Sequence, residues 1–209
     1  MKISFLGDSI TQGCGASEFG KGYVELFGAK YGVQAKNYGL GGTRIARQKE
    51  KSEYPQYDLD FIGRVKDIDK SSDFVFVFGG TNDYEHGRAE FGTFADYGEY
   101  TFCGAVNLLS DMLTGEFGKD KICFILPCRR VKGELPNMHG KNLEDYVKAI
   151  TRIVGGKGID TLDLFYQGFP KPQSDKGDEF TADGLHPNDN GHAYIAGRIA
   201  DYLKNKGVL

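Results

Sequence analysis

Short runs of apolar, β-branched and aromatic residues recur along the chain, and each is followed by a longer amphipathic stretch. The runs are almost continuously hydrophobic in the middle of the chain, which is typical of parallel strands buried on both faces. The pattern predicts five strands, at residues 3–6, 33–38, 74–78, 122–126 and 161–164.

The amphipathic stretches between these runs predict helices over residues 19–31, 58–69, 97–116, 141–155 and 189–205. Strands that alternate with helices indicate an α/β fold. The length of 209 residues and the absence of a break in composition favour a single domain over residues 1–209. In open sheets of this kind ligands bind beyond the carboxyl ends of the strands, so the loops that follow the strands are where chemistry is expected.

Two of these loops carry a serine and a glycine cluster. Ser9 lies where the chain turns after the first predicted strand, and it is either a nucleophile or a helix-capping serine. The second strand leads into residues 37–44, which contain three glycines in four positions. Such a backbone suits an oxyanion or phosphate cradle, and it equally suits a tight turn.

The third strand is followed by Asn82 and Asp83, and the last predicted helix is preceded by Asp183 and His186. A side-chain amide at the end of a strand can donate into the crevice, although Asn-Asp is also a common turn. Gly184 permits a turn in which the Asp183 carboxylate orients the His186 imidazole, which then accepts a proton from a serine.

Composition and charge argue against several other functions. Glycine accounts for 30 of the 209 residues, about twice the usual ~7%, but without a repeat or a low-complexity stretch. The net charge of −3, from 26 basic and 29 acidic residues, does not favour a nucleic-acid partner. The four cysteines are expected to be free thiols, the four histidines lack the spacing of a zinc site, and no dinucleotide fingerprint or P-loop is present.

Together the motifs resemble the SGNH hydrolases, also called GDSL esterases and lipases. The matching segments span nearly the whole chain and are Gly7-Asp8-Ser9, Gly42 within residues 37–43, Gly80-Thr81-Asn82-Asp83 and Asp183-Gly184-Leu185-His186. The resemblance implies a flavodoxin-like, three-layer α/β/α sandwich with a five-stranded parallel sheet. It also implies a serine esterase that needs no metal or cofactor.

By similarity to that family, Ser9 is the nucleophile, His186 the general base and later the general acid, and Asp183 the residue that orients it. The oxyanion hole is then formed by the backbone N–H groups of Ser9 and Gly42 and by the Asn82 side chain, with Gly41 as the neighbouring alternative to Gly42. Asp83 is expected to hold its loop by hydrogen bonds.

Polar and aromatic residues on the loops favour a small polar substrate. We expect O-deacetylation of a carbohydrate or another small acetyl ester. The alternatives are a lysophospholipase or thioesterase and a binding module without turnover. The residues expected to contact the substrate are Asp8, Thr43, Arg44, Tyr84, His86 and Arg130.

The remaining expectations concern the loops and the location of the protein. Residues 48–58 and 167–182 are unusually polar, so they are either loops that overhang the site or plain solvated connections. The first residues lack the apolar core of a signal peptide and no apolar run approaches the ~20 residues of a membrane span, which predicts a cytoplasmic protein.

Overall fold

A single five-stranded sheet organises the computed structural model, which describes all residues from 1 to 209. All neighbouring strands are parallel, in the order β2-β1-β3-β4-β5. This is the doubly wound order of flavodoxin-like folds, and it confirms the predicted fold class. The strands are β1 (Lys2–Gly7), β2 (Gln34–Gly39), β3 (Phe74–Phe78), β4 (Ile122–Ile125) and β5 (Asp160–Leu162).

Helices cover both faces of the sheet and complete the three layers. Helices α2 and α7 pack against each other over one core, and α5 and α6 pack against each other over the second. The helices are α1 (Ser9–Gln12), α2 (Tyr23–Tyr31), α3 (Phe61–Arg64), α4 (Thr81–His86), α5 (Phe102–Phe117), α6 (Leu143–Gly156) and α7 (Asp189–Asn205).

Strand β3 shows how the sequence pattern builds two cores. Phe76 belongs to the core under α2 and α7, whereas its neighbours Val75 and Val77 belong to the core under α5 and α6. Successive side chains of a strand point to opposite faces, so a continuously apolar run is needed to fill both. Phe76 also stacks on Phe5 of the adjacent β1, with ring centroids 5.2 Å apart.

The prediction that all five strands are buried on both faces is wrong for the two edges of the sheet. Strand β2 exposes Gln34, Lys36 and Asn37, and β5 is only partly buried. An edge strand has a neighbour on one side only, so polar side chains remain accessible there and discourage pairing with another chain.

Three helices differ from the predicted bounds. Helix α2 begins after Gly22, and α5 begins after Thr101, whose hydroxyl accepts the N–H of Gly104. The stretch predicted as one helix over residues 58–69 is instead the four-residue α3 followed by a 3₁₀ turn at Val65–Asp67.

Two short helices, α1 and α4, follow β1 and β3 directly and are absent from the predicted elements. They place Ser9 and Asn82 in the first turns of helices at the carboxyl edge of the sheet. The four cysteines are free. None of the helices combines the length and the apolar composition that crossing a bilayer requires.

Candidate active site

The predicted site residues converge at the carboxyl edge of the sheet. Ser9 follows β1, Gly42 follows β2 and Asn82 follows β3, and these three strands are neighbours. The fourth segment, with Asp183 and His186, immediately precedes α7. Parallel strands end at the same edge, so residues far apart in sequence meet in one crevice.

Ser9 is held at the start of α1 by a tight turn. The Asp8 carboxylate caps this helix by accepting the N–H of Ile10 at 3.0 Å. A Cβ atom at Gly7 would lie 1.9 Å from the Thr11 hydroxyl, so α1 packs directly on the end of β1. The Ser9 side chain is half-buried and its hydroxyl faces the histidine of the C-terminal segment.

Ser9, His186 and Asp183 form a continuous chain of hydrogen bonds. Nε2 of His186 lies 3.0 Å from Oγ of Ser9, and Nδ1 lies 2.7 Å from Oδ2 of Asp183. The imidazole thus has one nitrogen on the hydroxyl and the other on a carboxylate. This arrangement favours the tautomer that carries its proton on Nδ1 and leaves Nε2 free to accept the Ser9 proton.

Asp183 and His186 meet because the chain turns sharply between them. Oδ1 of Asp183 accepts the backbone N–H groups of Leu185 and His186, at 3.0 and 2.7 Å. Gly184 adopts a φ of 76°, and a Cβ there would lie 2.6 Å from the carbonyl oxygen of Ser174. Burial alone would raise the pKa of Asp183, but the hydrogen bonds from His186 outweigh it and keep the carboxyl below its usual pKa. Asp183 therefore stays ionised beside the imidazole.

Two amide groups face the same crevice. The N–H of Gly41 is occupied by Oε1 of Gln12 at 2.7 Å, whereas the N–H of Gly42 donates to no group of the protein. Nδ2 of Asn82 donates one hydrogen bond to the carbonyl oxygen of Thr43 at 2.9 Å, and a primary amide has a second N–H to give. The geometry therefore favours Gly42 over Gly41 as a backbone donor to a ligand.

Asp83 holds the loop that presents Gly42. Its two carboxylate oxygens accept the N–H groups of Ile45 and Ala46, both at 2.9 Å, so Asp83 holds this loop and not, as was expected, only its own. Burial raises the pKa of Asp83 to about 6, although these hydrogen bonds oppose the rise. The loop after β2 is thus tied to α4, and Gly42 and Asn82 keep their relative positions.

The sequence profile of the GDSL-like lipase/acylhydrolase family matches residues 5–194. The chain belongs to this family. The match begins inside β1 and ends inside α7, so it includes all four segments of the site. The family establishes an ester-hydrolysing fold and leaves the substrate open. No curated protein matches the chain in sequence.

Solved structures share this GDSL-like fold over nearly the full chain. A protein from Lactobacillus plantarum is 27% identical, with a TM-score of 0.82 over 98% of this chain and 96% of that one. A possible lipase from Chitinophaga pinensis is 20% identical, with a TM-score of 0.75 over 100% and 99%. An acetyl xylan esterase is 20% identical, with a TM-score of 0.69 over 97% and 100%. The last two likenesses concern the fold alone.

Four of the six residues expected to contact the substrate are buried in the GDSL-like domain. Asp8 is the cap of α1, and burial raises its pKa to about 7. The Thr43 hydroxyl donates to the carbonyl oxygen of Leu40 at 2.7 Å. The Tyr84 hydroxyl donates to backbone carbonyls of the loop after β4. As a correction, these side chains support the loops of the site and do not offer free groups to a substrate.

Arg44 is the fourth buried residue, with 3% of its surface exposed. Its Nη1 donates to the carbonyl oxygen of His86 at 3.2 Å, and its Nη2 donates to Ser52 and to the carbonyl oxygen of Tyr57. The expected contact with the substrate is replaced by a role in joining α4 to the segment 48–58. Sequence reasoning could not detect this because burial of an arginine leaves no periodic signal.

The other two candidates remain partly accessible. His86 closes α4 and packs against Tyr57, with ring centroids 5.1 Å apart. Burial, followed by the charge of Arg44, lowers the pKa of His86, so the ring is neutral near pH 7. Nη1 of Arg130 lies 2.7 Å from a carboxylate oxygen of Glu85, so this cation is already paired.

Two residues that the sequence did not single out hold the loop after α1. His192 is fully buried, its Nε2 lies 3.1 Å from the carbonyl oxygen of Cys14, and its Nδ1 accepts the N–H of Tyr23. The N–H of Cys14 in turn donates to the carbonyl oxygen of Ser9 at 2.9 Å. These hydrogen bonds connect α7 to the turn that carries Ser9, although His192 and Cys14 lie 178 positions apart in sequence.

Gly15 is the second such residue, and it touches the histidine segment. Its φ is 91°, and a Cβ there would lie 2.3 Å from the carbonyl oxygen of Pro187 and 2.9 Å from Cβ of His186. The loop after α1 therefore packs directly on the backbone that carries the imidazole. Only glycine allows this approach.

Replacing Gly15 with alanine is expected to lower kcat/KM for p-nitrophenyl acetate about 100-fold, because the added methyl group pushes His186 away from Ser9. Gly20→Ala is the matched control, since Gly20 has a φ of 96° but no atom within 4 Å of the added Cβ. Both variants bear the same backbone strain, and only the first displaces the imidazole. Equal activity of the two variants would show that the Gly15 contact does not position His186.

No group of three or more His, Cys, Asp or Glu side chains is arranged to hold a metal ion. The groups that meet at the site are a hydroxyl, an imidazole, a carboxylate and amide N–H donors.

Proposed function

We propose that this protein is a serine esterase, and that it removes acetyl groups from a carbohydrate or another small polar ester. The observation that carries the proposal is the hydrogen-bonded chain from Ser9 through His186 to Asp183 at the carboxyl edge of the sheet. Membership of the GDSL-like lipase/acylhydrolase family supports ester hydrolysis.

In the first half of the reaction Oγ of Ser9 attacks the ester carbonyl carbon while Nε2 of His186 takes the hydroxyl proton. The carbonyl electrons move to the oxygen and give a tetrahedral oxyanion. When the bond to the leaving oxygen breaks, Nε2 returns the proton to that oxygen, and the alcohol departs. The acyl group is then attached to Ser9 as an ester.

In the second half a water molecule repeats these steps. Nε2 of His186 takes a proton from the water, whose oxygen attacks the acyl carbon, and the proton then returns to Oγ of Ser9. A carboxylic acid is released and the serine is restored. Asp183, held ionised by its hydrogen bonds with His186, stabilises the imidazolium that forms in both halves.

Both oxyanions need donors that are already in place. The free N–H of Gly42, the second N–H of Asn82 and the backbone N–H of Ser9 are assigned to this role. The donors of Gly42 and Asn82 belong to one rigid unit. Asn82 donates to the carbonyl oxygen of Thr43, and Asp83 accepts the N–H groups of Ile45 and Ala46 in the same loop. Donors fixed before the reaction need no reorganisation when charge develops, and this is where such sites gain most of their rate.

The preference for a small polar ester over a lipid rests on the cavity that is lined in part by Tyr57, whose ring packs on Gly42. This cavity is lined mostly by charged and polar side chains, with Tyr54 and Tyr57 as the apolar members. A lipid substrate would need a continuous apolar wall. The acetyl xylan esterase of similar fold supports this preference only by analogy. The alternative substrate class is a lysophospholipid or a thioester, in keeping with the lipase members of the family.

A series of p-nitrophenyl esters from acetate to octanoate, with a palmitoyl thioester added, separates the two classes. We expect kcat/KM to be highest for acetate and to fall at each step, because added carbons gain binding free energy only from apolar surface and the cavity near Gly42 is lined mostly by polar side chains. A higher rate for acyl groups of eight or more carbons would overturn the acetyl preference. A binding module would hydrolyse none of the esters and would form no adduct with a fluorophosphonate.

A further inference from the structure

A cavity of about 160 Å³ lies against the polar segment 48–58. Its lining includes the aromatic residues Tyr54, Tyr57 and His86 and the charged residues Lys51, Glu53 and Arg88. None of them belongs to the chain of hydrogen bonds around Ser9. The segment itself is one of the two that the sequence analysis left as either an overhanging loop or a plain connection.

Tyr57 connects the cavity to the proposed oxyanion donor. A Cβ atom at Gly42 would lie 1.9 Å from the ring of Tyr57, so the ring packs directly on the glycine backbone. The Gln56 side chain donates to the carbonyl oxygen of Gly41 at 3.2 Å. A group bound beside Tyr57 is therefore next to the position of the reacting ester.

Three aromatic side chains line this cavity, and we call Tyr54, Tyr57 and His86 the aromatic group. The ring centroids of Tyr54 and Tyr57 are 5.2 Å apart, and those of Tyr57 and His86 are 5.1 Å apart. Tyr54 is 56% exposed, so part of its surface is open to a ligand. A loop that only connects two elements in solvent does not require three adjacent aromatic rings, so their packing favours a ligand-binding role.

Arg44 holds two members of the aromatic group, Tyr57 and His86, in place. This buried guanidinium donates to the backbone of Tyr57 and of His86, and also to the Ser52 hydroxyl at 2.6 Å. Asp58 closes the segment by accepting the N–H and the hydroxyl of Ser52. These two rings are thus arranged before a ligand arrives, which lowers the entropic cost of binding.

We propose that this cavity is the subsite for a neutral pyranose ring in the alcohol part of the ester. A pyranose has an apolar C–H face, which suits aromatic rings, and hydroxyl groups around its edge, which suit the Lys51 and Glu53 side chains that also line the cavity. An acyl chain has no hydroxyl groups that could form hydrogen bonds with these polar side chains. The assignment rests on the proposed esterase function, because it places the sugar beside Gly42 at the reacting ester.

The test compares two acetyl esters that differ only in the alcohol, a mono-acetylated methyl xylopyranoside and ethyl acetate. For Tyr54→Ala we expect the ratio of kcat/KM for the sugar ester to that for ethyl acetate to fall about tenfold, mainly through KM, because one aromatic face is lost. Tyr54→Phe keeps the ring and should keep the ratio. Tyr97→Ala is the matched control, since Tyr97 is 63% exposed and lies outside the cavity.

Calorimetric titration with unacetylated methyl xylopyranoside tests the subsite without turnover. Binding that Tyr54→Ala weakens and Tyr97→Ala preserves would support the subsite, even if neither ester were hydrolysed and the esterase function failed. Hydrolysis of ethyl acetate with an unchanged ratio in Tyr54→Ala, and no binding of the sugar, would overturn the subsite and leave the esterase function standing.

Discussion

Replacing Ser9 with alanine is expected to lower kcat for p-nitrophenyl acetate at least about 10⁴-fold, and to leave the fold intact. The hydroxyl is the only group that the proposed mechanism uses to form the acyl intermediate, and it lies 3.0 Å from Nε2 of His186. The residual rate would come from the amide donors and from substrate binding. Steady-state kinetics measure the loss, and thermal unfolding followed by circular dichroism measures the fold.

The same variant should fail to react with a fluorophosphonate, which forms its adduct on an activated serine. Ser71→Ala is the matched control, because Ser71 is exposed and precedes β3, at the opposite edge of the sheet from the site. It should retain full activity and labelling. Hydrolysis at the native rate by Ser9→Ala would remove Ser9 as the nucleophile, whatever the state of the control.

Replacing Asn82 with alanine is expected to lower kcat/KM for the same ester about 10²–10³-fold, because one preorganised donor to the oxyanion is lost. Asn82→Asp should lower it further, since a carboxylate of the same shape cannot donate and places negative charge where negative charge develops. Labelling of Ser9 by a fluorophosphonate should slow by a comparable factor, because the phosphoryl oxygen uses the same donors.

The control for Asn82 has to separate loss of a donor from loss of loop support, because the Asn82 amide also binds the carbonyl oxygen of Thr43. Asn107→Ala removes an amide that similarly holds two loop carbonyls, those of Phe94 and Asp96, outside the site. A loss of activity in Asn82→Ala no greater than in Asn107→Ala would indicate support alone, and the assignment to the oxyanion hole would be wrong.

The supports of this site come from both faces of the sheet. The loop after β2 is held by Asp83 of α4, and the loop after α1 is held by His192 of α7. Both side chains are buried, and neither touches the proposed reacting atoms. Residues of this kind set the relative positions of Ser9, Gly42 and Asn82, so their replacement should act through geometry.

The partners of Arg44 and Arg130 could not be predicted from the sequence. Arg44 and Arg130 follow strands and carry charge, which made both of them candidates for binding a polar substrate. In the structure Arg44 is buried under the segment 48–58 and Arg130 is paired with Glu85. Partners of a charged side chain lie on other parts of the fold, and a single sequence contains no signal for them.

The sequence by itself determined the elements and the local motifs. Alternation of apolar runs with amphipathic stretches predicted five parallel strands with helices between them, since burial on a sheet or a helix face imposes a period on neighbouring residues. The turn that joins Asp183 to His186 was also predictable, because both residues and Gly184 lie within one short segment.

Only the tertiary structure decided which of these groups are free to act. It showed that Gln12 occupies the N–H of Gly41 and leaves that of Gly42 open, that Gly15 packs on His186 and the next residue, and that Tyr57 packs on Gly42. Such contacts join residues from separate parts of the chain, as in the pair His192 and Cys14, which lie 178 positions apart. They arise from how the layers pack, and periodicity along one element carries no information about the atoms of another.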